Sequence, residues 1–414
     1  MTKSVIWYLH HYAGSPSLGM SYRPYYLSHE FNRHGYKAFI ISASYHHLLN
    51  VPIECEQAVK HQKVDDQDFI FLKTPYYKNA VVRVLNMLTY AWKIWRYQRK
   101  LIQITGIPTV IIVSSAHPFH YFSARRIAKK YKSKLIFEVR DLWPLSLIEL
   151  ANLSPRNPLV LFAGLIEKAA YKQADYVVSL LPNALNYMKE KGISADQFVY
   201  ISNGTDDVET SQYPVLKKYE QCILDLKKQG RFLLGYAGAH GVPNSLVDLI
   251  QALVILKQEK FNDIHVVCVG NGCQKTALMK LAEDHALDSV TFLDSIPKNQ
   301  VSSFLALMDA LYLGWKNRPI YQYGVSPNKL FDYMLSAKPI LHAFTARYDI
   351  VKQHQCGITV DAENPLAIAQ GIKQMVGMSK DELDKMGQNG KHAVLSSFTY
   401  AVLAHKYMKL FSLI

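Results

Sequence analysis

The sequence predicts an α/β protein built from two doubly wound parallel sheets. Its strand-sized apolar runs, such as Thr109 to Val113, are continuous rather than alternating, which is typical of strands buried on both faces of a parallel sheet. Helical patterns separate most of these runs, and the series starts again after a polar stretch at residues 207–213. A chain of 414 residues is too long for one ordinary core, so we expect two Rossmann-like domains facing a cleft.

In the first half, apolar runs alternate with helical patterns. The predicted strands are Val5–Tyr12, Lys37–Ser42, Phe69–Lys73, Thr109–Ser115, Lys134–Val139, Tyr176–Leu181 and Phe198–Ser202. The predicted helices are Tyr22–His34, Val81–Leu101, Tyr121–Tyr131, Leu159–Lys172 and Ala184–Lys191.

The second half repeats the alternation from Phe232 onwards. The predicted strands are Phe232–Tyr236, His265–Val269, Val290–Leu293, Ala310–Leu313, Pro339–Ala343 and Gly357–Val360, and the predicted helices are Ser245–Lys257, Thr276–Ala286, Val301–Leu307 and one that begins near Pro327. We therefore predict an N-terminal domain over residues 1–206 and a C-terminal domain over 207–396. The final segment, 397–414, is helical and could cross back to the first domain.

Hydropathy and cysteine usage favour a cytoplasmic protein. No apolar run approaches the roughly 20 residues that span a bilayer, and the apolar run Ser4 to Leu9 is too short for a signal-peptide core. The five cysteines show no C-x-x-C pair, so reduced core thiols are a better interpretation than disulfides or a zinc site.

Positive charge is concentrated in the first half of the chain. Residues 1–205 carry 25 Lys and Arg against 13 Asp and Glu, a net charge of +12, whereas residues 206–414 carry 22 against 20, a net charge of +2. Phe69 to Phe137 contains thirteen basic residues and no acidic one, and Tyr90 to Ile102 interleaves Trp and Tyr with Lys and Arg. That pattern favours an anionic partner.

We interpret the partner as the anionic surface of a membrane, because aromatic residues beside basic ones are typical of an interfacial helix. The residues expected to contact the membrane are Trp92, Lys93, Trp95, Arg96 and Arg99. A solvated helix with inward-packed aromatics is one alternative. Nucleic acid is another, but no known nucleic-acid-binding motif is present, so we do not expect it as a partner.

Loops that follow the strands of the first half carry candidate binding residues, since ligands of open α/β sheets bind beyond the carboxyl ends of the strands. Gly19 belongs to a glycine-containing turn that leads into a helix beginning with Tyr22 and Arg23, where backbone N–H groups could approach a phosphate or sugar. Arg140 and Asp141 follow a later strand, and His117 follows another. A structural Arg140–Asp141 pair is an open alternative.

Three turns of the second half are predicted to meet at one sheet edge and to form a nucleotide-sized site. They are the glycine-containing turns around Gly238 and Gly270 and the segment Tyr321 to Ile340. The last segment places Pro327 in the first helical turn, with Ser326 or Gly324 as the cap. The candidate residues for this nucleotide site, called donor-side below, are Gly19, Gly238, Ile296, Lys316, Ser326, Asn328, Lys329, Leu330 and Asp332.

Several segments resemble the retaining family 4 glycosyltransferases of bacteria, which have the GT-B fold of two Rossmann-like domains. Ile201 to Asp206 resembles that family's Asn-Gly-Val-Asp segment, Val267 to Gly272 its Val-Gly-x-Gly turn, and Leu330 to Ile340 its Leu-Leu-Glu-Ala-Met-Ala segment. With Gly14 to Leu27 and Glu138 to Pro144, they resemble enzymes of O-antigen, capsule and colanic-acid assembly, among them N-acetyl-L-fucosamine transferases.

The resemblance implies transfer of a sugar, such as an N-acetylated deoxyamino sugar, from a UDP-sugar to a lipid-linked saccharide with the anomeric configuration kept. No metal or other cofactor is expected. Asp332 is expected to hold the ribose, Lys329 to stabilise the departing diphosphate, and Asp141 to orient the acceptor hydroxyl. Acceptor-side candidates are Tyr22, Arg23, His117, Arg140 and Asp141.

Two positions depart from the family pattern. The family has two glutamates with seven residues between them, and here Gly324 and Asp332 take those places, which removes a carboxylate from the sugar pocket. Two other functions stay open: a UDP-sugar 2-epimerase of the same fold, and a non-catalytic nucleic-acid-binding protein.

Overall fold

The computed structural model describes residues 4–206 and 214–412. Its contacts divide the chain into two compact units. The N-terminal unit comprises residues 1–203 and 400–414, and the C-terminal unit comprises residues 204–399. The polar stretch 207–213, where the sequence predicts the linker, lies outside the described residues.

The N-terminal unit alternates strands and helices as predicted. Its strands are β1 (Val5–Leu9), β2 (Lys37–Ala43), β3 (Val59–Val64), β4 (Gln67–Leu72), β5 (Val110–Ser114), β6 (Lys134–Val139), β7 (Tyr176–Ser179) and β8 (Phe198–Tyr200). Its helices are α1 (Arg23–Arg33), α2 (Ala80–Arg96), α3 (Gln98–Thr105), α4 (Tyr121–Tyr131), α5 (Trp143–Glu149), α6 (Pro158–Gln173) and α7 (Leu185–Glu190).

These strands form one sheet in the order β3-β4-β2-β1-β5-β6-β7-β8. Every neighbouring pair is parallel except β3 and β4. The chain turns to opposite sides of β1 when it adds β2 and then β5, so the crevice between β1 and β5 is a topological switch point. The parallel α/β prediction is confirmed for this unit.

The edge strand β3 is absent from the predicted strands. Residues Val59–Val64 are mostly exposed between their two buried ends, and they pair antiparallel with β4 through the two-residue turn Asp65–Asp66. Both turn residues have positive φ angles, 46° and 62°, as a tight hairpin requires. Because the residues between its two ends are polar, β3 contains no continuous apolar run that would predict a strand.

The predicted single helix Val81–Leu101 is wrong, because the chain forms α2 and α3 with a break at Tyr97. The break lets α3 turn inward: Leu101 is fully buried, and the Thr105 hydroxyl accepts a 2.9 Å hydrogen bond from the indole of Trp7.

The C-terminal unit is a second alternating series. Its strands are β9 (Phe232–Ala237), β10 (Ile264–Val269), β11 (Val290–Leu293), β12 (Ala310–Gly314), β13 (Ile340–Ala343) and β14 (Gly357–Val360). Its helices are α8 (Lys217–Lys228), α9 (Leu246–Gln258), α10 (Lys275–Asp284), α11 (Val301–Ala306), α12 (Asn328–Leu335), α13 (Ile350–Gln353), α14 (Pro365–Val376) and α15 (Lys380–Ser397).

The six strands are all parallel, in the order β11-β10-β9-β12-β13-β14. Helices cover the sheet, and two apolar clusters form its core. The switch point lies between β9 and β12, so the loops that follow these two strands border the crevice where a ligand is expected.

The last helix, α16 (Tyr400–Ser412), packs within the N-terminal unit. Tyr407, Leu403 and Phe411 join the core that contains β1 and β5. Among residues 4–206 and 214–412, no helix is both long and apolar enough to cross a membrane.

Candidate functional site

Glycine-rich turns meet at the carboxyl edge of the C-terminal sheet. The N–H of Gly238, after β9, donates to the carbonyl of Val269, and the N–H of Gly270, after β10, donates to the carbonyl of Leu293. Both glycines have positive φ angles, 153° and 143°, and a Cβ at Gly270 would lie 1.9 Å from the carbonyl oxygen of Gly238. The close approach of the two turns therefore requires glycine at position 270.

Lys329 lies in the first turn of α12 and reaches the β9 turn. Its ammonium donates to the hydroxyl of Tyr236 at 2.9 Å and to Oδ1 of Asn244 at 2.6 Å. A Cβ at Gly238 would lie 3.1 Å from the Lys329 nitrogen, so glycine leaves room for the ammonium there. Burial lowers the pKa of Lys329 to about 7, and no acidic side chain of the described residues pairs with it.

His240 lies beside Lys329 and was not singled out from the sequence. It is fully buried, and neither ring nitrogen has a hydrogen-bond partner in the described part of the chain. Burial, with Lys275 and Lys329 nearby, lowers the pKa of His240 to about 4. The only available sequence signal was its place in a strand-to-helix turn.

Asp332 follows Lys329 by three residues on α12. Its carboxylate accepts a 2.9 Å hydrogen bond from the Thr205 hydroxyl and pairs with the ammonium of Lys298. Thr205 belongs to the segment that resembles Asn-Gly-Val-Asp, so the structure brings two of the sequence motifs together within the C-terminal unit.

The predicted start of this helix is wrong by one residue. Pro327 precedes α12 with an extended ψ of 140°, and no side chain caps the helix. Asn328 is the first helical residue, and its buried Oδ1 is unpartnered among the described residues. Ser326 and Ile296 are partly buried, and their donor roles stay predictions.

Two other donor-side candidates make contacts within the protein itself. The side chain of Leu330 is fully buried in the core, and its N–H donates to the carbonyl of Pro327. Lys316 pairs with Glu363 at 2.9 Å and lies 3.6 Å from Asp248. The donor roles of both residues stay predictions.

Histidines crowd the carboxyl edge of the N-terminal sheet. His10 and His11 follow β1, His46 follows β2, and His117 and His120 follow β5. The rings of His11 and His117 are 4.6 Å apart, and those of His117 and His120 are 5.1 Å apart. All five are buried, and burial lowers the pKa of each. They are therefore neutral near pH 7.

His117 and Arg140, two of the acceptor-side candidates, contribute to this edge. Neither ring nitrogen of His117 has a partner within residues 4–206 and 214–412. Arg140 donates to Nε2 of His10 at 2.7 Å and to the Ser21 hydroxyl at 2.9 Å, whereas Asp141 is exposed. No Arg140–Asp141 ion pair occurs among the described residues, so the alternative of a structural pair is not supported.

Arg23 is held by partners within the protein, and its acceptor-side role stays a prediction. It is buried and forms a 2.8 Å ion pair with Glu138, and its other nitrogens donate to the carbonyls of Ser202 and Ile201. Its neighbour Tyr22 is partly buried and stays a prediction.

Gly19, a donor-side candidate, has a structural reason to be glycine. A Cβ there would lie 2.4 Å from the carbonyl oxygen of Leu48, because the two loops pair at this point. Its φ of 123° also disfavours other residues.

The predicted membrane residues lie on or next to α2. Trp92 is 52% exposed and Trp95 is 41% exposed; Arg96 and Arg99 are also exposed, and Lys93 is partly buried. They continue a stripe of exposed apolar side chains at spacings of four and three residues. The stripe consists of Val81, Leu85, Leu88, Trp92 and Trp95.

Two family models match the chain, one in each unit. Residues 19–204 match a glycosyl transferase 4-like domain, and residues 231–377 match glycosyl transferases group 1. The chain is a glycosyltransferase of the GT-B type. A comparison of this glycosyltransferase with curated protein sequences gives no significant match.

Solved structures share the fold of this GT-B glycosyltransferase over nearly its whole length. Sucrose-phosphate synthase from Thermosynechococcus elongatus has a TM-score of 0.74 at 15% identity, covering 99% of this chain and 98% of that chain. HepE from Anabaena, in complex with UDP and glucose, has a TM-score of 0.66 at 12% identity, covering 99% and 100%. WaaG, a glycosyltransferase involved in lipopolysaccharide biosynthesis, has a TM-score of 0.65 at 12% identity, covering 99% and 100%. At these identities the likeness establishes the fold alone.

Proposed function

We propose that this glycosyltransferase moves a sugar from a UDP-sugar to a saccharide carried on a polyprenyl diphosphate, in the assembly of a surface polysaccharide, with the anomeric configuration kept. The observation that carries the proposal is the ammonium of Lys329, which lies at the switch point of the C-terminal sheet with neutral partners only. A cation buried without a counter-charge is costly, and an anionic ligand offsets that cost.

The donor's parts match the groups at this edge. The N-terminal end of α12 carries the positive end of the helix dipole and Lys329 supplies a positive charge, which together suit a diphosphate. Asp332 can accept hydrogen bonds from both ribose hydroxyls if Lys298 moves aside. HepE is in complex with UDP, which supports UDP as the nucleotide here.

In the proposed reaction, the bond between the sugar's anomeric carbon and the diphosphate oxygen breaks, and a bond from the acceptor oxygen to that carbon forms. The acceptor hydroxyl passes its proton to the departing diphosphate oxygen, and UDP leaves with it. Lys329 and the N–H groups of α12 stabilise the charge that develops on the diphosphate, so we assign no metal ion to this role. Asp141, exposed at the carboxyl edge of the N-terminal sheet, is proposed to orient the acceptor hydroxyl.

We propose that the N-terminal unit attaches to the cytoplasmic face of the inner membrane through the α2 stripe. The apolar surface extends beyond α2, because α4 packs beside it: the Ser123 hydroxyl donates to the carbonyl of Ala91, and Arg126 lies 5.8 Å from the ring of Trp95. Phe119, before α4, packs against Phe162 of α6. Further exposed apolar residues on these two helices are Phe122, Leu161, Phe162 and Leu165. Apolar area flanked by basic residues suits an anionic lipid surface.

Binding of UDP and uridine to two lysine variants tests the donor site. Lys329→Met removes a charge-assisted contact worth about 1.5–3 kcal/mol, so UDP should bind roughly ten to a hundred times more weakly while uridine hardly changes. Lys338→Met is the matched control, since burial also lowers the pKa of Lys338 but we assign it no ligand contact. Calorimetry that gives Lys329→Met the wild-type affinity for UDP would place the nucleotide elsewhere.

An activity assay separates the transferase from its alternatives. A transferase releases UDP at an appreciable rate only when a lipid-linked saccharide is present, whereas a 2-epimerase converts the UDP-sugar without any acceptor. Binding to RNA or DNA with a steep salt dependence, together with no UDP binding, would favour the nucleic-acid-binding alternative.

A further inference from the structure

The ammonium of Lys329 is surrounded by neutral groups. Its hydrogen-bond partners are the Tyr236 hydroxyl and the Asn244 amide oxygen, and the Tyr236 ring centre lies 4.7 Å away. Gly238 contributes backbone only. Such surroundings stabilise an amine almost as well as an ammonium, because the charged form has lost its hydration.

The titratable groups around Lys329 and its neighbours Tyr236 and His240 supply no free negative charge. They are Tyr236 on β9, His240 in the following turn, Cys268 on β10, Lys275 on α10, Tyr312 on β12, and Asp332 and Tyr333 on α12. The carboxylates of the region are already paired: Asp332 with Lys298, Asp294 with Lys275, and Asp248 near Lys316.

Burial therefore lowers the pKa of Lys329 to about 7, and about half of the molecules hold a neutral amine at neutral pH. His240, with a pKa of about 4, is neutral there as well. A bound diphosphate brings two negative charges and restores the preference for the ammonium, which raises the pKa of Lys329.

We propose that binding of the donor diphosphate is coupled to the uptake of one proton by Lys329. The inference rests on the proposed function, since it takes the diphosphate to bind at this lysine. The proton comes from solvent when the donor binds and returns to solvent when UDP leaves. Donor affinity should accordingly fall as the pH rises above neutrality, because the ammonium must then be formed at the expense of binding energy.

Calorimetry of UDP binding at pH 8.0 in two buffers of different ionisation enthalpy measures the proton uptake. At this pH the terminal phosphate of UDP, with a pKa of about 6, is ionised and contributes little. With Lys329 mostly neutral in the free protein, we expect about 0.9 proton taken up per UDP bound. Lys329→Arg should bind UDP with no uptake, because a guanidinium stays charged.

Two further measurements make each outcome decisive. His240→Gln should keep the uptake, and loss of the uptake in this variant would make the imidazole the acceptor and overturn the proposal. If Lys329→Arg fails to fold, the pH dependence of UDP binding to the wild-type protein tests the inference. The affinity for UDP should fall about tenfold per pH unit above pH 7.5, and an affinity that does not change with pH overturns the inference. UDP binding without proton uptake overturns the inference and leaves the proposed function standing, whereas no UDP binding by the wild-type protein overturns both.

Discussion

Two buried glutamates of the N-terminal unit respond to burial in opposite ways. Glu138 faces Arg23 and accepts hydrogen bonds from Ser114 and Tyr407, and together these partners outweigh burial and hold its pKa at about 2. Glu167 has the hydroxyls of Tyr171 and Tyr187, but its nearest cation, Lys191, is 3.9 Å away, and burial raises its pKa to about 7. The two pKa values differ because Glu138 has a cation at contact distance and Glu167 does not.

Glu167 should therefore make the N-terminal unit less stable as the pH rises. The folded protein keeps this proton up to about pH 7, whereas the unfolded chain loses it near pH 4.3, so the free energy of unfolding decreases between these values, by about 4 kcal/mol in total. Glu167→Gln lacks this loss. Its melting temperature should rise relative to the wild-type protein by several degrees between pH 4.5 and pH 8.

The control for this comparison is Glu190→Gln, which changes an exposed glutamate of α7. It should follow the wild-type pH profile. Parallel melting profiles for Glu167→Gln and the wild-type protein would mean that Glu167 is ionised when folded.

At the scale of elements, the Asp65–Asp66 turn of the β3–β4 hairpin combines two different aspartates. Asp65 accepts hydrogen bonds from the N–H and the hydroxyl of Ser17, at 3.0 and 2.9 Å, whereas Asp66 is exposed. Asp66→Gly should raise the free energy of unfolding by about 0.5–1 kcal/mol, because glycine adopts the positive φ angle without strain. Asp65→Gly should lower it through the lost contacts with Ser17. Melting curves of both variants check this, and equal shifts would contradict it.

Sequence patterns predict those elements that are fixed by local burial. The strand prediction Lys134–Val139 is confirmed residue for residue, because β6 is buried along nearly its whole length. β3 is not predicted because it is a polar edge strand. α3 is not predicted as a separate helix because its position depends on a buried contact between Thr105 and Trp7, which are far apart in the sequence.

In the candidate site, too, local sequence patterns predict some residues, whereas contacts between distant residues are not predictable from them. The sequence points to Lys329 through its place in a recognisable segment. The pairing of Lys316 with Glu363, 47 positions later, arises from the sheet order, which local spacing does not report. The same holds for Arg23 and Glu138, which are 115 positions apart. His240 shows no pattern of its own, and only its burial without partners marks it.

For the whole molecule, the uneven charge distribution gives the two halves different surfaces. Residues 1–205 carry a net charge of +12, whereas residues 206–414 carry +2, and the basic α2 segment carries the exposed apolar stripe. The apolar residues of the stripe are spaced by four and three residues, which would also suit a coiled coil with a second copy of the chain. Adjacent tryptophans and basic residues favour lipid instead.

Binding to phosphatidylglycerol vesicles should decide between these partners. Replacing Lys93, Arg96, Arg99 and Lys100 with Gln should weaken vesicle binding by about 1 kcal/mol per charge near the surface, and by less at high salt. The matched control replaces the four exposed lysines of α8, Lys217, Lys218, Lys227 and Lys228, with Gln, which removes the same charge from the C-terminal unit and should leave vesicle binding unchanged. If both variants lose the same amount of vesicle binding, the interaction depends on the net charge of the protein and not on the α2 segment. Sedimentation without lipid would show whether the protein forms a dimer. A dimer that dissociates in Trp92→Gln, while vesicle binding by this variant stays unchanged, would assign the stripe to a second copy of the chain.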